Sequence, residues 1–237
     1  MHKKNEAILI TAATRRIGLI LVKALLKSGY SVILHYRTSR TEVVSWLKEN
    51  REYSEQIHFV RQDLSRNTET LIDRAVAFGI PLVGLINNAS VFTQGNLNDR
   101  THFEEMLSIH LCIPRLLGSR FSALPSARWM VNITDAKISP PSLRFQNYRM
   151  SKLFLEELTR QQALLYAPRM RVNAVAPGAI LPADHETRTT FSRLRRKIPL
   201  QTIGNTDALV QTLFYLIDNE SITGQILAVD GGWHLTG

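Results

Sequence analysis

The chain has 237 residues, of which 44% are hydrophobic and 21% are charged, and these globular proportions exclude a disordered chain. Its single cysteine, Cys112, excludes a disulfide scaffold or a zinc site of several cysteines, and no apolar run can cross a bilayer, so we expect a soluble cytoplasmic protein without a membrane partner. The net charge of +9 is spread along the chain without interleaved aromatic residues, so we expect a site for an anionic small molecule and no nucleic-acid partner.

Short runs rich in Val, Ile and Leu alternate with amphipathic stretches along the whole chain. Strands are predicted at Ala7–Thr11, Ser31–Tyr36, Gln56–Arg61, Leu82–Asn87, Arg128–Thr134, Arg171–Val175 and Gln225–Val229. Helices are predicted near Ile17–Ser28, Thr41–Asn50, Thr68–Phe78, Arg100–Phe121, Asn147–Tyr166 and Thr206–Asp218. This alternation predicts one α/β domain over residues 1–237, a Rossmann-like doubly wound parallel sheet of about seven strands with helices on both faces.

Ligands of such a sheet bind beyond the carboxyl ends of its strands, so each strand end is a candidate position for the site. The first turn, from Thr11 to Gly18, retains only the last of the glycines that a dinucleotide-binding turn usually has. Ala12 adds a methyl group there, while Arg15 and Arg16 place two cations beside the N-terminus of the next helix. Taken alone, this turn is also compatible with an ordinary strand–helix connection.

The second strand ends in Tyr36, Arg37, Thr38 and Ser39. Proteins that bind NAD usually have an acidic residue at this point, which accepts a hydrogen bond from the ribose 2′-hydroxyl. An arginine instead suits a 2′-phosphate, because a guanidinium group pairs with phosphate through two parallel hydrogen bonds. The sequence therefore predicts NADPH as the cofactor.

Tyr148 and Lys152 are four residues apart in a predicted helix, so they share one helical face. A nearby ammonium group stabilises a phenolate, which predicts that Lys152 lowers the pKa of Tyr148 from about 10 towards a value useful for proton transfer. An isolated pair of this kind is more often a surface feature. Its interpretation therefore depends on the motifs around it.

Those motifs are Asp63–Leu64 after the third strand, Asn87–Ser90 after the fourth, Tyr148–Lys152, Pro177–Gly178, Ile222–Gly224 and Asp230–Gly232. In this order and spacing, the chain resembles the short-chain dehydrogenase/reductases over nearly its full length. The resemblance implies a homotetramer, built through the long helices predicted at Arg100–Phe121 and Asn147–Tyr166. Its implied cofactor-binding residues are Thr11, Arg15, Arg16, Ile17, Tyr36, Arg37, Thr38, Asp63, Leu64, Asn88, Ala89, Ser90, Tyr148, Lys152, Pro177 and Gly178.

Asp135 occupies the position, thirteen residues before the tyrosine, where most of that family has a serine. A serine hydroxyl can donate to a substrate carbonyl, whereas an ionised carboxylate can only accept. The substitution therefore favours a C=N substrate over a C=O substrate. Asp135 could otherwise be a cap at the end of the strand in an inactive protein.

The set Asp135, Tyr148 and Lys152 is similar to the catalytic residues of the pteridine reductases, a branch of the same family. Arg16, His35–Arg37, and Ser90 with Phe92 also resemble that branch. The resemblance implies NADPH-dependent reduction of a pterin C=N bond, with dihydromonapterin, dihydrobiopterin or dihydrofolate as substrate. The implied substrate-binding residues are Arg16, Ser90, Phe92, Asp135 and Tyr148.

Three further points stay open. His110 replaces an asparagine that is frequent in the family, and it is either part of a proton relay or a hydrogen-bonded core histidine. The segment Pro182–Pro199 is predicted to be a lid, with a basic run at Arg193–Lys197 that forms a solvated helix face. Two alternative functions are a generic NADPH-dependent carbonyl or 3-oxoacyl reductase and a non-catalytic regulator that senses NADPH.

Overall fold

The computed structural model describes residues 5–138, 142–182 and 187–236, which surround a parallel sheet of seven strands. The strands are β1 (Ala7–Ile10), β2 (Ser31–Tyr36), β3 (Ile57–Arg61), β4 (Leu82–Asn87), β5 (Trp129–Ile133), β6 (Arg171–Pro177) and β7 (Ile226–Val229). Their order is β3-β2-β1-β4-β5-β6-β7, and all neighbouring pairs are parallel. The predicted doubly wound sheet is confirmed, and every predicted strand matches an observed one to within two residues at each end.

Helices cover both faces of this sheet. They are α1 (Arg16–Lys27), α2 (Thr41–Glu49), α3 (Thr70–Val76), α4 (Arg100–Leu107), α5 (Ile113–Ser122), α6 (Gln146–Tyr166), α7 (Arg188–Leu194) and α8 (Thr206–Asp218). Alternate residues of each strand point to opposite faces, so Ile8 packs with α1, α2 and α8 while Leu9 packs with α3, α5 and α6. Burial on both faces explains the continuous apolar runs in the strands.

The strand order changes direction at β1, which pairs with β2 on one side and with β4 on the other. From β1 the chain proceeds outward to β2 and β3, and β4 then returns to pair with the other side of β1. The helices that follow β1 and β4, α1 and α5, therefore cover opposite faces of the sheet, and ligands of such sheets bind in the crevice at the carboxyl edge between them.

The predicted helix Arg100–Phe121 is interrupted by a wider π-helical turn at Ser108–Cys112. Pro114 explains the position of the interruption, since it has no N–H to donate to the carbonyl of His110, four residues earlier. Its ring would also clash with that carbonyl in a regular α-helix. The wider turn places His110, which is fully buried, against α6.

Part of the predicted lid Pro182–Pro199 lies outside the described residues, at positions 183–186. The described part contains α7 and a 3-10 turn at Arg195–Lys197, and the side chains of the predicted basic run, Arg193, Arg195, Arg196 and Lys197, are exposed. This agrees with a solvated helix face. Among the described helices, none combines the length and the apolar character that a membrane span requires.

Candidate active site

The turn after β1 begins with Ala12 in a left-handed backbone conformation, at φ 50°. Its N–H donates to Nδ1 of buried His35 at 3.1 Å, and Nε2 of that ring lies 2.9 Å from the carbonyl oxygen of Gln62. Because a carbonyl can only accept, Nε2 carries the proton and Nδ1 is the acceptor. Burial lowers the pKa of His35, which agrees with a neutral ring. His35 thus holds the turn from the next strand, a role that sequence analysis missed.

Thr11 and Asn88 join this turn to the end of β4. The backbone N–H groups of Asn88 and Ala89 each donate to the Thr11 hydroxyl at 2.9 Å, and the Asn88 amide donates to the carbonyls of Thr11 and Ala12 at 3.0 Å. Gly18 packs against the same corner, where a Cβ would lie 2.8 Å from the Asn88 amide nitrogen. The predicted cofactor residues Thr11, Asn88 and Ala89 therefore fix the shape of the turn.

Two cations flank the N-terminus of the twelve-residue helix α1. Arg15 and Arg16 are both exposed, and Arg16 takes a left-handed conformation at φ 53°, which glycine usually occupies. One guanidinium nitrogen of Arg16 donates to the Pro182 carbonyl at 2.9 Å. Half-buried Ile17 follows in the first turn. Unpaired N–H groups of a first helical turn attract anions, and here two arginines increase that attraction.

The ends of β2 and β3 carry the residues predicted to hold the adenosine half of the cofactor. Arg37 and Thr38 are exposed beside half-buried Tyr36, and Leu64 is buried. Asp63 accepts hydrogen bonds from the N–H and hydroxyl of Ser65, which lower its pKa, and the positive charge of Arg37 contributes to the decrease. Arg37 thus lies close to Asp63.

Tyr148, Asp135 and Lys152, which were predicted to be catalytic, lie together between β5 and α6. The Tyr148 hydroxyl donates to Oδ2 of Asp135 at 2.8 Å. Nζ of Lys152 donates to the Ile133 carbonyl at 2.8 Å and lies 5.8 Å from the centroid of the Tyr148 ring. Oδ1 of Asp135 accepts from the Lys137 N–H at 2.7 Å. Asp135 therefore both caps the turn after β5 and contacts the tyrosine.

The pKa of Tyr148 is raised well above 10, so the prediction that Lys152 lowers it is wrong for this arrangement. Burial is the largest cause, and the charge of Asp135 and the hydrogen bond to it add to the rise, which a contact with Ser90 partly opposes. Burial also raises the pKa of Asp135 and lowers that of Lys152 to about 8. The tyrosine consequently keeps its proton at neutral pH.

Phe92 stands at the open side of this group, with about half of its surface exposed. Its ring stacks on Phe145 with centroids 4.4 Å apart and meets the edge of Tyr148 at 4.8 Å. Phe145 was not identified from the sequence, and its left-handed backbone, at φ 55°, begins α6. Phe92, which was predicted to bind the substrate, is therefore one of two stacked aromatic rings.

His110 connects Ser90 with Ser151 in the interior. Its Nε2 lies 2.8 Å from the Ser90 hydroxyl and its Nδ1 lies 2.8 Å from the Ser151 hydroxyl. Burial, with a smaller contribution from the charge of Lys152, lowers the pKa of His110 to about 2. The structure therefore supports the hydrogen-bonded core histidine of the two predicted alternatives. Ser151 was not identified from the sequence.

The C-terminal segment closes the other side of the site. Pro177 ends β6, and Gly178 lies so near Asp230 that a Cβ on it would be 2.5 Å from the Asp230 Cβ. The Lys137 ammonium group donates to the carbonyls of Trp233 and Thr236, which attaches this segment to the turn that holds Asp135. Sequence analysis did not identify Lys137.

A family model described as Enoyl-(Acyl carrier protein) reductase matches residues 11–234. The chain is a short-chain dehydrogenase/reductase. Among the relatives of this short-chain dehydrogenase/reductase, the dihydromonapterin reductase of Klebsiella pneumoniae is 29% identical and aligns over 98% of each chain. The pteridine reductase 1 of Leishmania tarentolae is 27% identical and aligns over 96% of each.

Two solved structures share the fold of this short-chain dehydrogenase/reductase. FolM alternative dihydrofolate reductase 1 of Brucella suis, in complex with NADP, is 32% identical with a TM-score of 0.92, covering 99% of this chain and 97% of its own. The Brucella canis protein of that name, complexed with NADP, is also 32% identical, with a TM-score of 0.90 and coverage of 100% and 97%.

The residues present fit NADPH, the cofactor predicted from the sequence. The corner around Gly18 leaves no room for a Cβ, so glycine at this position lets α1 pack closely against the turn and Asn88, as the last glycine of a dinucleotide-binding turn does. The N-terminus of α1 with Arg15 and Arg16 suits the diphosphate, and Arg37 suits a further phosphate. Lys152, which was predicted to be among the cofactor-binding residues, is buried beside the Tyr148 ring.

Proposed function

We propose that this short-chain dehydrogenase/reductase uses NADPH to reduce the C=N bond of a dihydropterin. The dihydromonapterin and pteridine reductases among its relatives support the substrate class, and the NADP-bound structures support the cofactor. The observation that carries the proposal is the 2.8 Å hydrogen bond from the Tyr148 hydroxyl to Asp135. A carboxylate here is an acceptor at the position where a carbonyl reductase needs a donor.

The acceptor character of Asp135 distinguishes between the two substrate classes. Reduction of a ketone puts negative charge on oxygen, and a carboxylate beside it would repel that charge. Reduction of a C=N bond requires a proton at nitrogen, and the resulting N–H group can donate to the carboxylate. The charges around Tyr148 therefore favour a ring nitrogen as the atom that receives the proton.

Each side chain of the site has its own role in the proposed reaction. NADPH, when bound, supplies the hydride that reaches the carbon of the C=N bond. Tyr148 keeps its proton at neutral pH because of burial and Asp135, so it can donate that proton to the ring nitrogen. Lys152 holds the nicotinamide ribose, and Phe92 contacts the flat face of the pterin ring. Arg16 and Ser90 contact both the cofactor phosphates and the pterin.

Cofactor oxidation with dihydromonapterin, dihydrobiopterin and dihydrofolate tests this function. NADPH absorbance should fall with at least one of them, and the Tyr148→Phe variant should lose that turnover while still binding NADPH. Tyr53→Phe is the matched control, because its half-buried ring stacks on Trp46, away from the site. Absence of turnover with every pterin, in a protein that binds NADPH, would contradict the proposal.

Two other results would point to the alternative functions. Reduction of ketones or 3-oxoacyl substrates, with no activity on pterins, would indicate the carbonyl reductase. Salt-dependent DNA binding without turnover would indicate a regulator. The intact group of Asp135, Tyr148 and Lys152 supports the enzyme over the regulator.

We also infer a homotetramer in a reducing, cytoplasmic location. Exposed apolar side chains on α6, namely Leu153, Phe154, Leu164 and Leu165, support an interface, because Leu164 and Leu165 are 79% and 72% exposed. Sedimentation should give the mass of four chains. Leu165→Glu should reduce that mass, whereas Leu143→Glu, at an exposed loop leucine, should not.

A further inference from the structure

A chain of four hydrogen-bonding groups runs from the interior to the crevice. The Ser151 hydroxyl lies 2.7 Å from the Tyr148 carbonyl, His110 lies between Ser151 and Ser90 at 2.8 Å on each side, and Ser90 is exposed at the crevice. Only Ser90 can reach a bound molecule. The direction in which each group donates can be derived from the interior end.

A carbonyl oxygen can only accept, so the single hydroxyl proton of Ser151 is donated to the Tyr148 carbonyl. Towards His110, Ser151 must then accept, which requires a proton on Nδ1 of the imidazole. A neutral imidazole has one ring proton, so Nε2 is bare. The Ser90 hydroxyl must therefore donate its proton to Nε2 of His110.

A second contact gives the same direction independently. The backbone N–H of Val91 points to Nε2 of His110 at 3.4 Å, and an N–H group can only donate. The surroundings also keep the ring neutral, since the titratable groups that face it are the protonated Tyr148 and the positive Lys152. Both features disfavour a proton on Nε2.

We propose that His110 is a positioning residue that turns the Ser90 hydroxyl into a fixed acceptor, so that the site selects molecules that donate an N–H group to Ser90. This inference rests on the proposed function and specifies the edge chemistry of its substrate. With its proton committed to His110, the Ser90 hydroxyl presents only lone pairs to the crevice. Together with Asp135 it forms an acceptor surface that matches the amino and ring N–H groups of a pterin and rejects a bare carbonyl.

The π-helical turn at Ser108–Cys112 makes this arrangement possible. It widens the helix at the one residue whose ring must reach both Ser90 and Ser151. Such wide turns are frequent at functional sites. Pro114, which causes the widening, therefore contributes indirectly to the direction of the Ser90 hydrogen bond.

The first test is the ring protonation of His110 in solution. In protein labelled with ¹⁵N-histidine, His110 should show a protonated Nδ1 and a bare Nε2, with no titration between about pH 5 and about pH 9. The ¹⁵N signals of His110 are those that disappear in the His110→Gln variant. If His110→Gln fails to fold, the His110 signals are identified as those that shift in Ser151→Ala, because Ser151 contacts Nδ1 of the ring. A protonated Nε2, or titration within this range, would overturn the inference. The measurement requires no turnover, so it is independent of the proposed function.

The second test measures the preference for N–H donors. The probes are 2,4-diaminopteridine and unsubstituted pteridine, which share one ring system but differ in having N–H groups. Ser90→Ala and Ser151→Ala should each reduce the preference for the diamino compound by about fivefold to tenfold, the value of one hydrogen bond. Ser90→Thr should restore it, since it retains the hydroxyl.

Thr212→Val is the matched control, because the Thr212 hydroxyl donates to a carbonyl of its own helix, as that of Ser151 does. The preference of Thr212→Val for the diamino compound should equal that of the unmodified protein. An unchanged preference in either Ser90→Ala or Ser151→Ala would contradict the role of His110, whether or not the protein reduces pterins.

Discussion

The hydroxyl of Tyr148 donates to Oδ2 of Asp135 at 2.8 Å, which makes the carboxylate the nearest charged partner of the tyrosine. Lys152, one helical turn away, lies 5.8 Å from the tyrosine ring and directs its ammonium group to the Ile133 carbonyl. The immediate electrostatic neighbour of the phenol is therefore negative. This relationship keeps the proton on Tyr148 and determines what the site can do with it.

Replacement of Asp135 by serine should change the preferred substrate class. A serine hydroxyl can donate to a carbonyl, so kcat for pterins should fall about a hundredfold or more, while reduction of ketones should become measurable. Steady-state kinetics on both substrate classes provide the measurement. Asp207→Asn, at an exposed position on α8, should change neither activity. Loss of pterin reduction without any gain of ketone reduction would show that Asp135 does not select the substrate class.

Lys152 should produce an alkaline limit on cofactor use. Its pKa is lowered to about 8 by burial, so its positive charge is present below that pH and is lost as the pH rises through it. kcat/KM for NADPH, which reports on the free enzyme, should therefore fall between about pH 7 and about pH 9. Lys152→Met should be weakly active at all pH values and lack this decline. A decline that persists in Lys152→Met would assign it to another group.

Lys152→Met, which should lower the activity, should raise the stability of the protein. Because the folded-state pKa of Lys152 is below its unfolded value, the buried charge is least favourable below pH 8. Lys152→Met should consequently raise the free energy of unfolding at neutral pH, as measured by urea denaturation. Lower stability of the variant at neutral pH would contradict the direction of the pKa shift.

Ala12→Gly should stabilise the protein, although glycine is usually destabilising. A left-handed conformation costs an ordinary residue about 1–2 kcal/mol, and this exceeds the entropy that glycine adds to the unfolded chain. The free energy of unfolding should rise by up to about 1 kcal/mol. Ala24→Gly, within α1, should instead lower it by about 1 kcal/mol. Equal decreases in the two variants would exclude strain at Ala12.

Removal of the His35 ring should weaken NADPH binding. His35→Leu would leave the Ala12 N–H without its acceptor, which costs about 1–3 kcal/mol and lets the turn relax from its binding shape. Fluorescence titration should show weaker binding of NADPH. His58→Leu, at a half-buried histidine on β3, should leave that affinity intact.

Arg37 should determine the preference for NADPH over NADH. A charge-assisted hydrogen bond to phosphate is worth about 1.5–3 kcal/mol, so Arg37→Ala should raise KM for NADPH by about tenfold to a hundredfold and leave KM for NADH nearly unchanged. Arg40→Ala provides the comparison, because the Arg40 guanidinium lies over the Phe59 ring, 5.0 Å from its centroid. A similar effect of both substitutions would indicate a general attraction by positive charge.

The strands and most helices could be predicted from the sequence, because burial on both faces of a parallel sheet leaves continuous apolar runs. Tyr148, Lys152 and Asp135 could also be predicted to lie in one site, because they match motifs of the short-chain dehydrogenase/reductases in order and spacing, and the structure brings them together. The pKa of Tyr148 could not, because its direction depends on which charge lies nearer in space. Spacing along the helix gave Lys152, whereas the fold brings Asp135 into direct contact.

Contacts between distant segments account for the remaining errors and omissions. The π-helical turn depends on Pro114, but its purpose depends on serines 20 residues before and 41 residues after His110. Phe145 pairs with Phe92 across two loops and follows no period of a helix or strand. Such contacts arise when separate elements meet, so no periodicity in the sequence indicates them.

The bond between Ala12 and His35 has a consequence for loop transplantation. These two residues lie 23 positions apart, Ala12 in the turn after β1 and His35 on β2. Moving residues 11–18 into another protein would transfer the strained backbone and leave behind the imidazole that restrains it. A functional graft would need the end of β2 as well, so the smallest exchangeable unit here is a strand–helix–strand segment.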